Sequence, residues 1–166
     1  MVTFGAWDLE SLTVPNTIDP LDRFPNLAPR TRNFHHLLPR ESKIKAGGSV
    51  NFVISGFHLL LVYDNGVEPG DIDITKLVPN RPAPPPLIDD PNHRLYRGLD
   101  PASLLMPPLS PIVTTPPQPL QSIQDRVEVV RFPVPGRFLV MCGVLPHFFD
   151  PITQEFIMYG YVRVVE

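Results

Sequence analysis

Short apolar runs alternate with turn signals along this chain, and no stretch sustains a convincing 3.6-residue period. Ser42-Lys-Ile-Lys45 runs into Ala46-Gly-Gly48, the pattern of a strand entering a turn, and Val50–Val53 opens the next strand. Leu59–Tyr63 is a continuous apolar run stopped by Asp64-Asn-Gly66, a strong turn signal. Val127–Phe132 is rich in β-branched residues and ends at Pro133, after which Val134-Pro-Gly136 turns the chain into Arg137–Cys142. Strand alternation then puts Phe138, Val140 and Cys142 on one face. The last run, Met158–Val165, places Met158, Gly160, Val162 and Val164 on one face in the same way. Short strands joined by turn residues predict an all-β fold, an antiparallel β-sandwich.

Proline interrupts this pattern. Of 23 prolines, 13 fall between Pro79 and Pro119. Proline lacks a backbone donor and fixes φ, which excludes long helices and central strands there. Residues 67–124 therefore read as a long proline-rich insertion that leaves the sheet. One helical turn is expected near Asp100–Leu105, with Asp100 as its cap and Pro101 at its first position. Residues 1–33 read as an irregular N-terminal arm, and 34–166 as a single sandwich domain containing the insertion.

The chain has 166 residues, 43% of them apolar, enough to bury a core in one domain. The net charge of −3 and the lack of a Lys/Arg run argue against a nucleic-acid partner. No run of about 18 apolar residues is present, so no membrane span is expected. Residues 1–20 lack the basic start and apolar stretch of a signal peptide. A single cysteine, Cys142, excludes an internal disulfide.

That cysteine is the most informative residue. It opens Cys142-Gly-Val-Leu-Pro-His147, with Met158 further along and His58 on a distant apolar strand. A thiolate, two imidazoles and a weak axial thioether form the ligand set that selects copper and suits it to electron transfer. Such a centre should change oxidation state with little rearrangement, so rigid elements should hold its ligands.

The chain resembles the cupredoxin family, the plastocyanin- and azurin-like blue copper proteins. The resemblance lies in Lys45-Ala-Gly-Gly-Ser-Val-Asn-Phe52, Gly56-Phe-His58, Pro135-Gly-Arg-Phe138 and the Cys142…His147…Met158-Tyr-Gly160 end. It covers about residues 40–66 and 126–166. It implies a Greek-key sandwich and one type 1 copper held by His58, Cys142, His147 and Met158. It further implies single-electron exchange with partner proteins, no substrate turnover, and a periplasmic or otherwise exported location. Two features depart from the family. Ten residues separate His147 from Met158, so the axial place falls to Met158 if that stretch bulges outward, and otherwise to Gln154, Glu155 or nothing. The 67–124 insertion is the second departure, able to shield the site or to form a docking surface.

Other readings compete. A copper carrier or sensor would use the same ligands with metal exchange. A metal-free interaction module would bind its partner through the proline-rich insertion. A Cys142–His147 hydrolase pair lacks an oriented third residue. His35, His36 and His93 read as loop histidines, and Asp89-Asp90 forms no acid/base pair. Leu145, Pro146, Phe148 and Phe149 flank His147 and form either an apolar docking patch for redox partners or an inward-folded cover over the metal.

Overall fold

The computed structural model describes residues 1–4, 37–55, 58–79, 85–98 and 125–166. Eleven strands form within them: β1 (Val2–Phe4), β2 (Leu37–Leu38), β3 (Glu41–Lys45), β4 (Ser49–Ser55), β5 (Leu60–Asn65), β6 (Arg94–Arg97), β7 (Asp125–Arg131), β8 (Gly136–Cys142), β9 (Phe149–Asp150), β10 (Glu155–Phe156) and β11 (Tyr159–Val165). A single helical turn, α1 (Leu145–Phe148), follows β8. The strands expected from alternation and turn residues appear with ends shifted by only a residue or two.

One sheet has the order β2-β1-β4-β7 and the other β3-β11-β8-β5-β6, while β9 and β10 form a small separate hairpin. Phe52, Ile54, Val2 and Val130 of the first sheet share one core with Val62, Phe138, Val140 and Val162 of the second. Each such side chain contributes about 1.5–3 kcal/mol on burial. The all-β expectation holds, with one modification: each sheet is mixed. β1 pairs parallel to β4, and β3 parallel to β11. Parallel neighbours need a crossover, and a sandwich supplies one because the chain between them runs through the opposite sheet. Thus β3 turns at Ala46–Gly48 into β4 of the facing sheet, and β11 reaches it from the other end of the sequence.

Described parts of the regions read as irregular pair as strands. Val2–Phe4, at the start of the expected arm, is a strand bound to both β2 and β4. The 67–124 segment returns to the sheet as β6, which pairs with β5. β6 lies within Asn92–Asp100, a stretch free of proline that keeps the backbone donors a ladder needs. The helical turn expected at 100–105 and the histidines at 35 and 36 lie outside the described residues.

The excursion also explains why Leu59–Tyr63 is continuously apolar. All five of these residues are buried, so successive side chains on both faces of β5 avoid water. Ile72, Leu87 and Ile88 from the excursion are buried in the same core. Polar contacts fasten it: Tyr63 Oη donates to the Asp90 carbonyl over 3.0 Å, and Asp64 N–H to the His93 carbonyl over 2.8 Å. Burial raises the Tyr63 phenol well above its ordinary value. At the excursion's start, Glu68 accepts from Arg137 at 2.6 Å and from the Tyr161 hydroxyl, with the Arg137 guanidinium stacked on the Tyr161 ring. Burial first, then Glu68, pushes the Tyr161 phenol up to about 12.

Candidate metal centre

Three separate pieces of chain meet at one end of the sandwich. His58 lies between β4 and β5, Cys142 ends β8, and His147 sits in α1. Cys142 faces the core because it shares the period-2 face of Phe138 and Val140, and its register partner across the ladder is Leu60. Gly143 comes next, where a Cβ would crowd the leucines packed on it, at 2.7 Å from Leu59 Cδ2 and 2.9 Å from Leu61 Cδ1. That close approach lets Gly143 N–H donate to the Leu59 carbonyl at 2.6 Å, which ties the cysteine strand to the residue after His58. Pro146 suits the first turn of α1, where its missing donor costs nothing.

The excursion braces this end. Ile88 N–H donates to the Gly143 carbonyl at 2.7 Å and Leu145 N–H to the Pro86 carbonyl at 3.0 Å. Leu87 and Val144 form an isolated antiparallel bridge. The limb at 85–90 thus grips the turn that carries His147.

The ligand atoms form a tight triangle. Cys142 Sγ is 3.6 Å from His58 Nδ1 and 3.9 Å from His147 Nδ1, and the two Nδ1 atoms are 3.1 Å apart. A circle through atoms so spaced has a radius of about 2.1 Å, against metal–nitrogen bonds of about 2.0–2.1 Å and metal–thiolate bonds of about 2.3 Å, as zinc sites show. The donors thus surround one ion-sized point. Two Nδ1 atoms this close cannot both carry a proton, so at least one ring offers its lone pair, the form a metal ligand needs. The ring planes cross at 64° with centroids 5.0 Å apart. His58 and Cys142 are fully buried and His147 is 5% exposed. Among the described residues this is the one His/Cys/Asp/Glu group able to hold a metal ion.

Met158 comes to the same place by its backbone. Its N–H donates to the His147 carbonyl and its carbonyl accepts from Cys142 N–H, both at 3.1 Å. The ten intervening residues bulge outward as the β9–β10 hairpin, with Phe149 paired to Phe156 and Asp150 to Glu155. Asp150 accepts from Ile152 N–H at 2.8 Å in the turn that follows. The Met158 side chain is fully buried. Gln154 and Glu155, the other axial candidates, are exposed on the hairpin away from the core. His93 is exposed in a loop.

The flanking apolar residues divide. Phe148 is fully buried and packs on Phe156 at 5.1 Å, so it belongs to the inward cover and not to a surface patch. Leu145, Pro146 and Phe149 are half-buried. Helical placement gives the reason, since Phe148 N–H bonds the Val144 carbonyl and this turn directs the ring at the core.

No family model and no curated protein matches the sequence. Among solved structures, the chain is similar to auracyanin B, at 17% identity over 80% of this chain and 81% of that one, TM-score 0.45. It is similar to auracyanin A, a "blue" copper protein from the green thermophilic photosynthetic bacterium Chloroflexus aurantiacus, at 18% identity over 79% and 89%, TM-score 0.44. It is also similar to the dithionite-reduced auracyanin of the photosynthetic bacterium Roseiflexus castenholzii, at 13% identity over 80% and 89%, TM-score 0.43. At the level of structure, the cupredoxin resemblance rests on the centre itself: two imidazole nitrogens and one cysteine sulfur converging on a single buried point.

Proposed function

We propose that this protein binds one copper ion through His58, Cys142 and His147 and exchanges single electrons with partner proteins. The triangle of donor atoms carries the reading, because a soft sulfur and two imidazoles in trigonal array are the preference of copper in electron-transfer sites. Bound copper supplies a one-electron couple, Cu(II)/Cu(I). The chain supplies rigidity: His58 is tied in through Leu59, Cys142 through the β8 ladders, and His147 through α1 and the Met158 N–H. Donors held this firmly favour electron exchange over the metal exchange a carrier needs.

Met158 is the proposed axial ligand, supported by its backbone bonds to both neighbouring ligand residues and its buried side chain. The 5% exposure of His147 makes its outer edge the proposed electron port, framed by half-buried Leu145, Pro146 and Phe149. Three equatorial donors around a closed centre leave no place for a substrate, so no enzymatic turnover is proposed. No described helix is long and apolar enough to cross a membrane. An exported, periplasmic-type location is part of the proposal, by analogy with blue copper proteins. So is the division into an arm at 1–33 and a domain at 34–166 with a 67–124 insertion.

Titration of the reduced protein with Cu(II), read by visible absorption and electron paramagnetic resonance, tests this. An intense thiolate-to-copper band at one equivalent, with narrow copper hyperfine splitting, is expected, and Cys142→Ser should abolish it. A band surviving in Cys142→Ser, or no stoichiometric binding, sinks the reading.

A further inference from the structure

A pair of buried opposite charges lies behind the centre. Arg126 and Glu128 are two residues apart on β7, so their side chains leave the same face, and that face points inward. Their side chains are 4% and 0% exposed. Arg126 Nε donates to Glu128 Oε1 at 2.7 Å, and Arg126 Nη2 donates to the His58 carbonyl, also at 2.7 Å. The second Glu128 oxygen accepts from the Tyr96 hydroxyl of β6 at 3.0 Å. Burial first, then the adjacent carboxylate, holds the Tyr96 phenol far above its ordinary value. Gly98 forms the wall against this carboxylate: a Cβ there would lie 2.8 Å from Glu128 Cδ. Gly98 N–H in turn donates to the Leu60 carbonyl at 2.8 Å.

Burying two charges is poorly repaid in stability, since an apolar pair of similar volume does as well or better. The guanidinium here does something an apolar pair would not. Its fork spends one arm on Glu128 and aims another at the main chain of a ligand residue. Glu128 and Tyr96 fix where that fork sits, and they reach it from strands of opposite sheets. The strut therefore spans the sandwich and ends on His58.

We propose that Arg126, held by Glu128 and Tyr96, is a positioning residue that fixes the His58 main chain and so sets the His58 ring at the metal centre. This rests on the copper reading for its chemistry but not for its geometry. Groups that orient a metal ligand from outside typically change metal affinity by about 10- to 100-fold when removed.

The test compares wild type with R126M/E128M, which removes both charges together so that neither is left buried without the other. Two readouts are taken. In metal-free protein, hydrogen exchange is followed at the Gly143 amide, which bonds the Leu59 carbonyl, with the Phe132 amide bonded to Gly48 as a distant reference. In copper-loaded protein, copper release to a chelator and the copper hyperfine splitting are followed. Faster Gly143 exchange with an unchanged Phe132 rate, about 10- to 100-fold faster copper release and an altered splitting are expected. Wild-type values in both readouts overturn the proposal. If wild type binds no copper while Gly143 exchange still accelerates in the variant, the copper reading falls and the positioning of the His58 segment stands. Should the double variant fail to fold, Arg126→Lys is read identically, since lysine keeps the charge but lacks the fork, and the same directions are expected.

Discussion

Met158 and His147 are eleven positions apart along the chain and one hydrogen bond apart in space, the Met158 N–H donating to the His147 carbonyl over 3.1 Å. The Ile157 N–H to Phe148 carbonyl bond at 2.7 Å continues the same ladder outward. The β9–β10 hairpin therefore hangs from the centre as a side branch. Replacing Pro151–Gln154 by Asn-Gly, a two-residue hairpin turn, should leave the visible copper band and one-to-one stoichiometry unchanged. A shifted band in the shortened protein would show that the branch helps set the ligands.

Met158→Leu should still bind one copper, because the three equatorial donors are untouched. Loss of a weak axial donor disfavours Cu(II) more than Cu(I), so the reduction potential should rise. Voltammetry of the two proteins decides this. An unchanged potential would remove Met158 from the ligand set.

Asp90 ties the excursion together. It is 1% exposed, and its carboxylate accepts from Asp73 N–H at 3.0 Å, Asn92 N–H at 3.1 Å and Lys76 Nζ at 3.1 Å. Burial acts to raise its pKa, but these donors prevail and hold it below 3.8. A carboxyl depressed in the folded state stabilises the protein above its unfolded value and loses that contribution as pH falls through the folded value. Denaturant unfolding of Asp90→Asn should show a loss of about 1–3 kcal/mol at neutral pH. The gap to wild type should narrow below pH 3.8. A gap that stays constant as the pH falls below 3.8 would contradict the assignment.

Phe138, on the cysteine strand itself, is 2% exposed and packs on Phe132 with ring centroids 5.3 Å apart. Phe138→Ala should cost about 3–5 kcal/mol in thermal or denaturant unfolding. A loss under about 1 kcal/mol would mean the core collapses into the space, against the close packing that protein interiors show.

Much of this was legible in the sequence for physical reasons. Strand alternation put Cys142 on the core face with Phe138 and Val140, and Met158 with Val162 and Val164, and all six are buried. The turn residues at 46–48, 64–66 and 134–136 marked strand ends that the structure keeps. Other features were hidden. The parallel pairings of β1 with β4 and β3 with β11 join residues remote in sequence, and local patterns carry no record of a partner's direction. β6 was masked by the prolines around it. β7, Asp125-Arg-Val-Glu-Val-Val-Arg131, was recognisable as a strand by its β-branched residues, but not that Glu128 is fully buried while Val127 is 49% exposed. Arg126 on the same strand face and Tyr96 from the opposite sheet hold the buried carboxylate, and the Tyr96 pairing joins residues 32 positions apart that local alternation does not link. The turn in the ten-residue spacer was readable from Asp150-Pro-Ile-Thr153, but its return to His147 was not.

The separation of His58 from Cys142 by 84 positions sets an order of events. No short fragment of this chain contains both an imidazole from the first half and the sulfur, so the centre cannot assemble until β5 has aligned beside β8 with Leu60 opposite Cys142. Closing so long a loop is slow and entropically costly. A growing or partly folded chain therefore presents at most the Cys142–His147 end to passing metal. The full trigonal cage becomes a property of the completed sandwich, and copper captured by it reports that folding has finished.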